Sequence, residues 1–209
     1  MFTLEHISKS YKTKKVLEDI SISAAEGEAI GILGTNGVGK STLLSYIATS
    51  YANSKDFNIG YLPQDNPLFD ELKPIDNIKM WCKYSTKEIL DKLNSAPLNK
   101  LGITEFLDVP VKNMSGGMKK RLSLATVLIN EPNILLMDEP FAALDLPAKQ
   151  DIASYMEFFL SNKGIIIVAS HDEEIFDFCN KVYLLKDGKL VDTKKLKEQG
   201  ISYIDMLRS

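Results

Sequence analysis

The sequence predicts an α/β fold built around a largely parallel sheet. Three observations carry that expectation. Three short, continuous apolar runs, EAIGIL (28–33), NILLMD (133–138) and GIIIVAS (164–170), have the length of strands covered on both faces. Stretches with helical spacing alternate with them, as in strand–helix–strand units. The first run ends in a glycine-rich turn, and a helical stretch from about Lys40 to Ala48 follows at once.

The remaining elements follow in chain order. Residues 65 to 113 lack β-branched runs, and IDNIKMWCKY and TKEILDKL within them have helical spacing, with Pro74 and Thr86 near the helix starts. A helical subdomain inserted into the α/β core is expected here, and with the next helix it spans about 65–130. Phe69 and Trp81 lie within it and are expected in its core. VYLLKDGKLVD (182–192) reads as a hairpin turning at Asp187-Gly188. The polar tail from about 194 to 209 reads as one terminal helix. With 209 residues, 44% of them hydrophobic, the chain suits a single domain with a sizeable core.

Composition narrows the function classes. A formal net charge of −3 argues against nucleic acid as the main partner. Cys82 and Cys179 form no CxxC or metal-ligand spacing, so two reduced thiols in a reducing cytosol are expected. The opening MFTLEHISKS lacks a basic flank followed by an apolar stretch, and no run of about 18 apolar residues follows. If the protein works at a membrane, another chain must do the crossing. His6 matches no motif and reads as structural.

Residues 34–42, GTNGVGKST, match G-x-x-x-x-G-K-[ST] with Gly34, Gly39, Lys40 and Ser41 on the fixed positions. Thr35, Asn36, Gly37, Val38 and Thr42 complete the loop. Its glycines let several N–H groups point into one hollow, and the helix that starts there favours an anion. Lys40 is placed to reach the β- and γ-phosphates of ATP, and the Ser41 hydroxyl to bind Mg²⁺. A P-loop NTPase core is the fold this loop predicts. ILLMDEP (134–140) is an apolar run ending in two acids at a strand end, where ligands bind in α/β sheets. Asp138 can hold Mg²⁺ through water, and Glu139 can orient or deprotonate an attacking water.

NMSGGMKKRLSLA (113–125) decides between families. Ser115 caps a helix whose two leading glycines leave its N–H groups bare, a second anion-receptive helix end. This segment resembles the signature motif of ABC ATPases, the nucleotide-binding subunits of ABC transporters, whose usual form is close to LSGGQ. Other positions resemble the family's motifs in order: Gln64 in GYLPQD its Q-loop, Ala143-Leu144-Asp145 its D-loop, and His171 its switch histidine. Tyr11 stands where the family places an aromatic on adenine. The likeness runs from about Phe2 to Asp192.

The resemblance implies a mechanism and partners. ATP would be clamped between Gly34–Thr42 of one subunit and Ser115, Gly116 and Gly117 of a second, in a homodimer or a heterodimer. Ser41, Gln64 and Asp138 would hold Mg²⁺, and Glu139 and His171 would act on the γ-phosphate and its attacking water. An integral membrane permease subunit would receive the motion on the cytoplasmic face, through the Q-loop and the helical region of about 64–113. Two departures stand out. Met114 and Met118 replace the outer signature residues, and the short stretch between Thr42 and Gln64 leaves little room for the usual hairpin, so a reduced antiparallel β-subdomain is expected. The alternative is a non-transport ABC ATPase such as an assembly factor. MDEPFAALD resembles importer subunits and SGGMKKRL small bacterial exporters; compactness and the absence of a regulatory tail lean the expectation to export.

Overall fold

The computed structural model describes residues 1–12, 14–65, 67–142 and 144–208, with only the backbone of Lys14. The chain opens with an antiparallel pair, β1 (Phe2–Tyr11) and β2 (Lys14–Ala24), running from Phe2 opposite Ala24 to Tyr11 opposite Lys14 with register shifts between Leu4 and Ser10. Then come β3 (Ala29–Leu33), α1 (Lys40–Ser50) and β4 (Ile59–Leu62). A helical stretch follows: α2 (Pro74–Lys79), α3 (Thr86–Asn94), three 3-10 turns between Leu98 and Asn113, and α4 (Gly116–Leu128). The chain returns through β5 (Ile134–Asp138), α5 (Leu146–Ser161), β6 (Ile165–Ser170) and the hairpin β7 (Lys181–Lys186) and β8 (Lys189–Asp192). It ends in α6 (Lys194–Glu198) and α7 (Tyr203–Arg208).

The six-stranded sheet runs β4-β5-β6-β3-β7-β8. Every neighbouring pair is parallel except the edge hairpin β7–β8. The three apolar runs expected as strands become β3, β5 and β6, and each is buried along its whole length. The period of two divides their side chains between two cores. Ile30, Ile32, Leu136 and Ile167 face α1 and the β1–β2 pair, while Leu33, Leu135, Met137 and Val168 face α4, α5 and the helical stretch.

The antiparallel sheet is separate and two-stranded, made from the chain's first residues, and only α1 and β4 lie between Thr42 and Gln64. Phe2, Tyr51 and Phe57 seat it against the end of α1, with ring centroids 5.2 to 5.9 Å apart in edge contacts, and the Tyr51 hydroxyl donates to Thr3 O at 3.1 Å.

Two expectations need correction. Phe69 and Trp81 are not core residues; each is 48% exposed. Helix α2 stops at Lys79, before the apolar spacing of IDNIKMWCKY runs out, so residues 80–84 leave the helical register. Asn77 and Ile78 of α2 take the buried positions instead. The tail is two short helices rather than one, broken where Gly200 takes φ +80°.

Asn77 is fully buried and organises the approach to α2. Its Oδ1 accepts from Phe69 N at 2.7 Å, and its Nδ2 donates to the carbonyls of Phe69, Lys73 and Leu72 at 3.2 to 3.4 Å. Replacing it by alanine strands these buried groups, at a cost of about 1–3 kcal/mol. Asn77→Ala should therefore lower the urea midpoint without changing the slope, as followed by circular dichroism.

Candidate active site

Strand register assembles the site. Leu33 at the end of β3 pairs with Ser170 at the end of β6, and Asp138 at the end of β5 pairs with Ala169. The residues that follow, Gly34, Glu139 and His171, therefore emerge side by side at the carboxyl edge of the sheet. Sequence-distant motifs meet because the strands between them are parallel and in register.

The glycine loop is shaped by contacts as well as torsions. Gly39, the N-cap of α1, has φ +119°, and a Cβ there would stand 2.8 Å from Val16 Cγ1. At Gly34 a Cβ would meet Val38 Cγ1 at 2.8 Å and the carbonyl of Leu185 at 3.1 Å. Only glycine satisfies both positions. Lys40 opens α1 and turns back across the loop, donating to Gly34 O at 2.7 Å and Thr35 O at 3.3 Å. Its ammonium also lies 3.3 Å from Glu139 Oε1, with both side chains about 95% buried.

Glu139 is the most constrained residue of the site. Its backbone sits at φ +46°, a left-handed conformation unusual for a side chain of this size. Its N–H donates to Ala169 O at 2.9 Å, which holds it there. Oε2 accepts from Ser170 Oγ at 2.9 Å and from the His171 amide at 3.4 Å, while Oε1 lies 2.9 Å from His171 Nδ1. Burial alone would push this carboxyl up, but the hydrogen bonds from His171 and Ser170 and the charge of Lys40 outweigh it and hold the group below its ordinary value.

Asp138, one residue earlier, moves the other way. Burial pushes its carboxyl above the ordinary range, and the Glu139 charge adds to this, against the Ser41 hydroxyl and the charges of Lys40 and Lys120. Its Oδ1 is buried and has no hydrogen-bond partner among the described residues. A hard oxygen donor without a partner, beside the Ser41 hydroxyl and close to a phosphate loop, fits a divalent cation such as Mg²⁺.

A cavity of about 440 Å³ collects Asn36, Gly37, Gly39, Lys40, Ser41, Thr42, Gln64, Asp138 and Glu139. The structure brings these expected site residues together. Thr35 and Val38 instead line a smaller neighbouring cavity with Leu184, Leu185 and Met206. His171 reaches the site through Glu139 and is half exposed. Tyr11 lies outside the cavity and is 56% exposed at the end of β1. Ser115, Gly116 and Gly117 do not line it either. Ser115 caps α4, its Oγ accepting from Met118 N at 3.2 Å. Of the D-loop positions, Ala143 lies outside the described residues; Asp145 caps α5 by accepting from Ala148 N at 3.0 Å. His6 pairs with Asp19 at 2.7 Å on the exposed hairpin.

Two residues of the site carry no motif. Val16, from β2, lines the cavity. Nothing local in the sequence marks it, because its place depends on how the hairpin folds over the loop. Ser170 holds Glu139, and its position directly before His171 was the available signal.

The parallel sheet, the glycine loop and the paired acids define a nucleotide-binding α/β ATPase. A family profile described as "ABC transporter" matches residues 17–142. An uncharacterized ABC transporter ATP-binding protein of Methanocaldococcus jannaschii is 33% identical, over 98% of this chain and 82% of its own length. A spermidine/putrescine import ATP-binding protein of Bacteroides thetaiotaomicron is 31% identical over 90% of this chain and 45% of its own. A molybdate/tungstate import ATP-binding protein of Pyrococcus abyssi is 33% identical over 98% and 65%. Among solved structures, an ATP-binding subunit of an ABC transporter superposes with a TM-score of 0.80 at 21% identity, covering 99% of this chain and 97% of that one. A dimeric bacterial ABC transporter cassette gives 0.77 at 23%, covering 91% and 96%. The chain belongs to the ABC transporter ATP-binding family, and it is an ATP-binding ATPase.

The Lys40 contacts predict a measurable loss. Lys40→Ala removes the loop's buried cation, and a charge-assisted contact of this kind is worth roughly 2 kcal/mol or more, about thirtyfold in affinity. Titration with a fluorescent ATP analogue should show at least that weakening while the far-ultraviolet circular dichroism stays native.

Proposed function

We propose that this chain is the motor subunit of an ABC membrane transporter, working as a pair of ATPase subunits on a permease. The observation that carries the reading is the separation of two anion-receptive helix ends. The start of α1 lines the nucleotide cavity, whereas the start of α4, Ser115–Gly117, does not line that cavity on the same chain. A second subunit turned head to tail would bring its own α4 to the phosphates. Gly117 already packs closely on α5, where a Cβ would meet Ala148 Cβ at 3.1 Å, so the α4 end and the Asp145-capped α5 form one surface.

The geometry and the family likeness together support these residue roles. Lys40 and the loop amides neutralise phosphate charge. Ser41 and Asp138, with Gln64 alongside, would hold Mg²⁺, which would draw charge from the β- and γ-phosphates. Glu139, kept ionised by Ser170, His171 and Lys40, orients or deprotonates the attacking water, and His171 approaches the γ-phosphate from the same edge. Tyr11 is assigned to the adenine on family likeness, with Val16 the nearer apolar wall. The helical stretch of about 65–130 belongs to one ATPase domain spanning 1–209 and carries the closing motion.

The same stretch supplies the docking surface. Phe69, Met80 and Trp81 are exposed large side chains in the segment that follows Gln64. No described helix is long and apolar enough to cross a membrane. In this proposal the permease is a separate subunit. The chain would then sit on the cytoplasmic face through that partner. For direction we propose export, on the likeness of SGGMKKRL to small exporters and the compactness of the ATPase core, against the likeness of MDEPFAALD to importer subunits. Relatives named for import make import the competing outcome of a transport assay in membrane vesicles.

Glu139→Gln should bind ATP, hydrolyse it at least about a hundredfold more slowly, and accumulate as a dimer in light scattering with ATP; a mutant turning over at the wild-type rate removes Glu139 from the catalytic role. Tagged Glu139→Gln, captured with ATP from detergent-solubilised membranes, should bring down an integral membrane protein. Recovery of soluble partners alone would favour a non-transport ATPase.

A further inference from the structure

We propose that Lys120 is a positioning residue of the ATPase reaction, tying helix α4 to the main chain at Gln64 and so coupling the two anion-receptive ends of the site. The proposal rests on the roles given above to Gln64 and to Ser115–Gly117. Three consecutive basic residues of α4 go to three different elements. Lys119 reaches outward to Asp70 at 3.3 Å, and Arg121 reaches Asp151 on α5 at 3.4 Å and covers the Phe106 ring. Lys120 turns inward and is only 4% exposed.

Its ammonium makes no ion pair among the described residues. It donates instead to the carbonyls of Gln64 at 3.4 Å and Pro63 at 3.5 Å, where the chain leaves β4. A buried ammonium held by two long carbonyl contacts is a poor choice for stability. The other buried positions of this helix carry no charge: they are Leu122, Leu124, Ala125 and Leu128, with the small hydroxyls of Ser123 and Thr126. The charge therefore has another use. Burial pushes the Lys120 ammonium below its ordinary range, and the charges of Asp138, Asp65 and Glu139 act against that, so Lys120 stands near the acidic pair on a different element than Lys40.

The mechanical consequence follows from helix geometry. Ser115 lies five residues before Lys120, a rise of about 7.5 Å along α4. One rigid helix therefore links the end offered to the second subunit with the backbone of a cavity-lining residue. When α4 meets a partner's phosphates, Lys120 sets where Gln64 stands.

Lys120→Met and Lys120→Gln test this, with Gln64→Ala alongside. Steady-state hydrolysis, fluorescent ATP binding and thermal unfolding are measured on each. Lys120→Met should melt no lower than wild type, bind ATP within about threefold, and lose at least about tenfold in kcat with little change in KM. Lys120→Gln keeps a donor for the carbonyls and should recover part of that loss; if Lys120→Met does not fold, Lys120→Gln carries the test. Wild-type kcat in the Lys120 variants, or a kcat loss matched by lost ATP affinity or a lower melting temperature, overturns the proposal. If the Lys120 variants are normal while Gln64→Ala is slow, the Gln64 reading stands without Lys120. Wild-type turnover in Gln64→Ala removes Gln64 from the mechanism, and the route through it.

Discussion

Everything in this site depends on one buried charge contact at the carboxyl edge of a parallel sheet. Lys40 lies between the Gly34 carbonyl and the Glu139 carboxylate, about 95% out of water. Such a contact tolerates little displacement, because either ion without the other would be costly to bury. It therefore constrains its surroundings. β3 must deliver Gly34, β5 must deliver Glu139, and the loop must curl tightly enough for Lys40 to reach both. The two glycines without room for a Cβ and the left-handed backbone of Glu139 are local consequences of that demand.

The acids show how neighbouring groups of one type are made different. Asp138 and Glu139 are adjacent and both buried, yet burial prevails at Asp138, while at Glu139 hydrogen bonds and the Lys40 charge together outweigh it. Ser170 and His171 account for much of the contrast, since both bind Glu139. The result is one carboxylate poised to stay charged and one oxygen left for a cation. Beside this centre the helical stretch shares one continuous apolar core with the sheet and α5, and Lys120 adds a polar contact from α4 to the end of β4.

Much of this was legible in the sequence because the informative features are local. The apolar runs of β3, β5 and β6 announce themselves by continuity, the phosphate loop by glycine spacing, and the β7–β8 turn by Asp187-Gly188. The misses arise where tertiary contacts decide. The β1–β2 pair has polar, irregular strands with bulges, and its apolar residues are spaced unevenly around His6 and Asp19. Trp81 looked like a core residue on apolar character alone, but the helix that would have buried it ends two residues earlier. Val16 joins the cavity only because a hairpin folds over the loop. Lys120 reads as one more surface charge in a basic run until the direction of its side chain is known.

If one active site is built from two chains, a mixture of two inactive variants will regain activity. Lys40→Ala destroys the phosphate loop but keeps Ser115; Ser115→Arg blocks the signature end but keeps Lys40. Paired head to tail, they form one wholly intact site. Phosphate release should be negligible for each alone and recover on mixing, to about a quarter of the wild-type rate if chains pair at random and the two sites act independently, and to about half if only mixed pairs form. A mixture as inactive as its components, or a Ser115→Arg chain that hydrolyses ATP normally alone, would contradict the account.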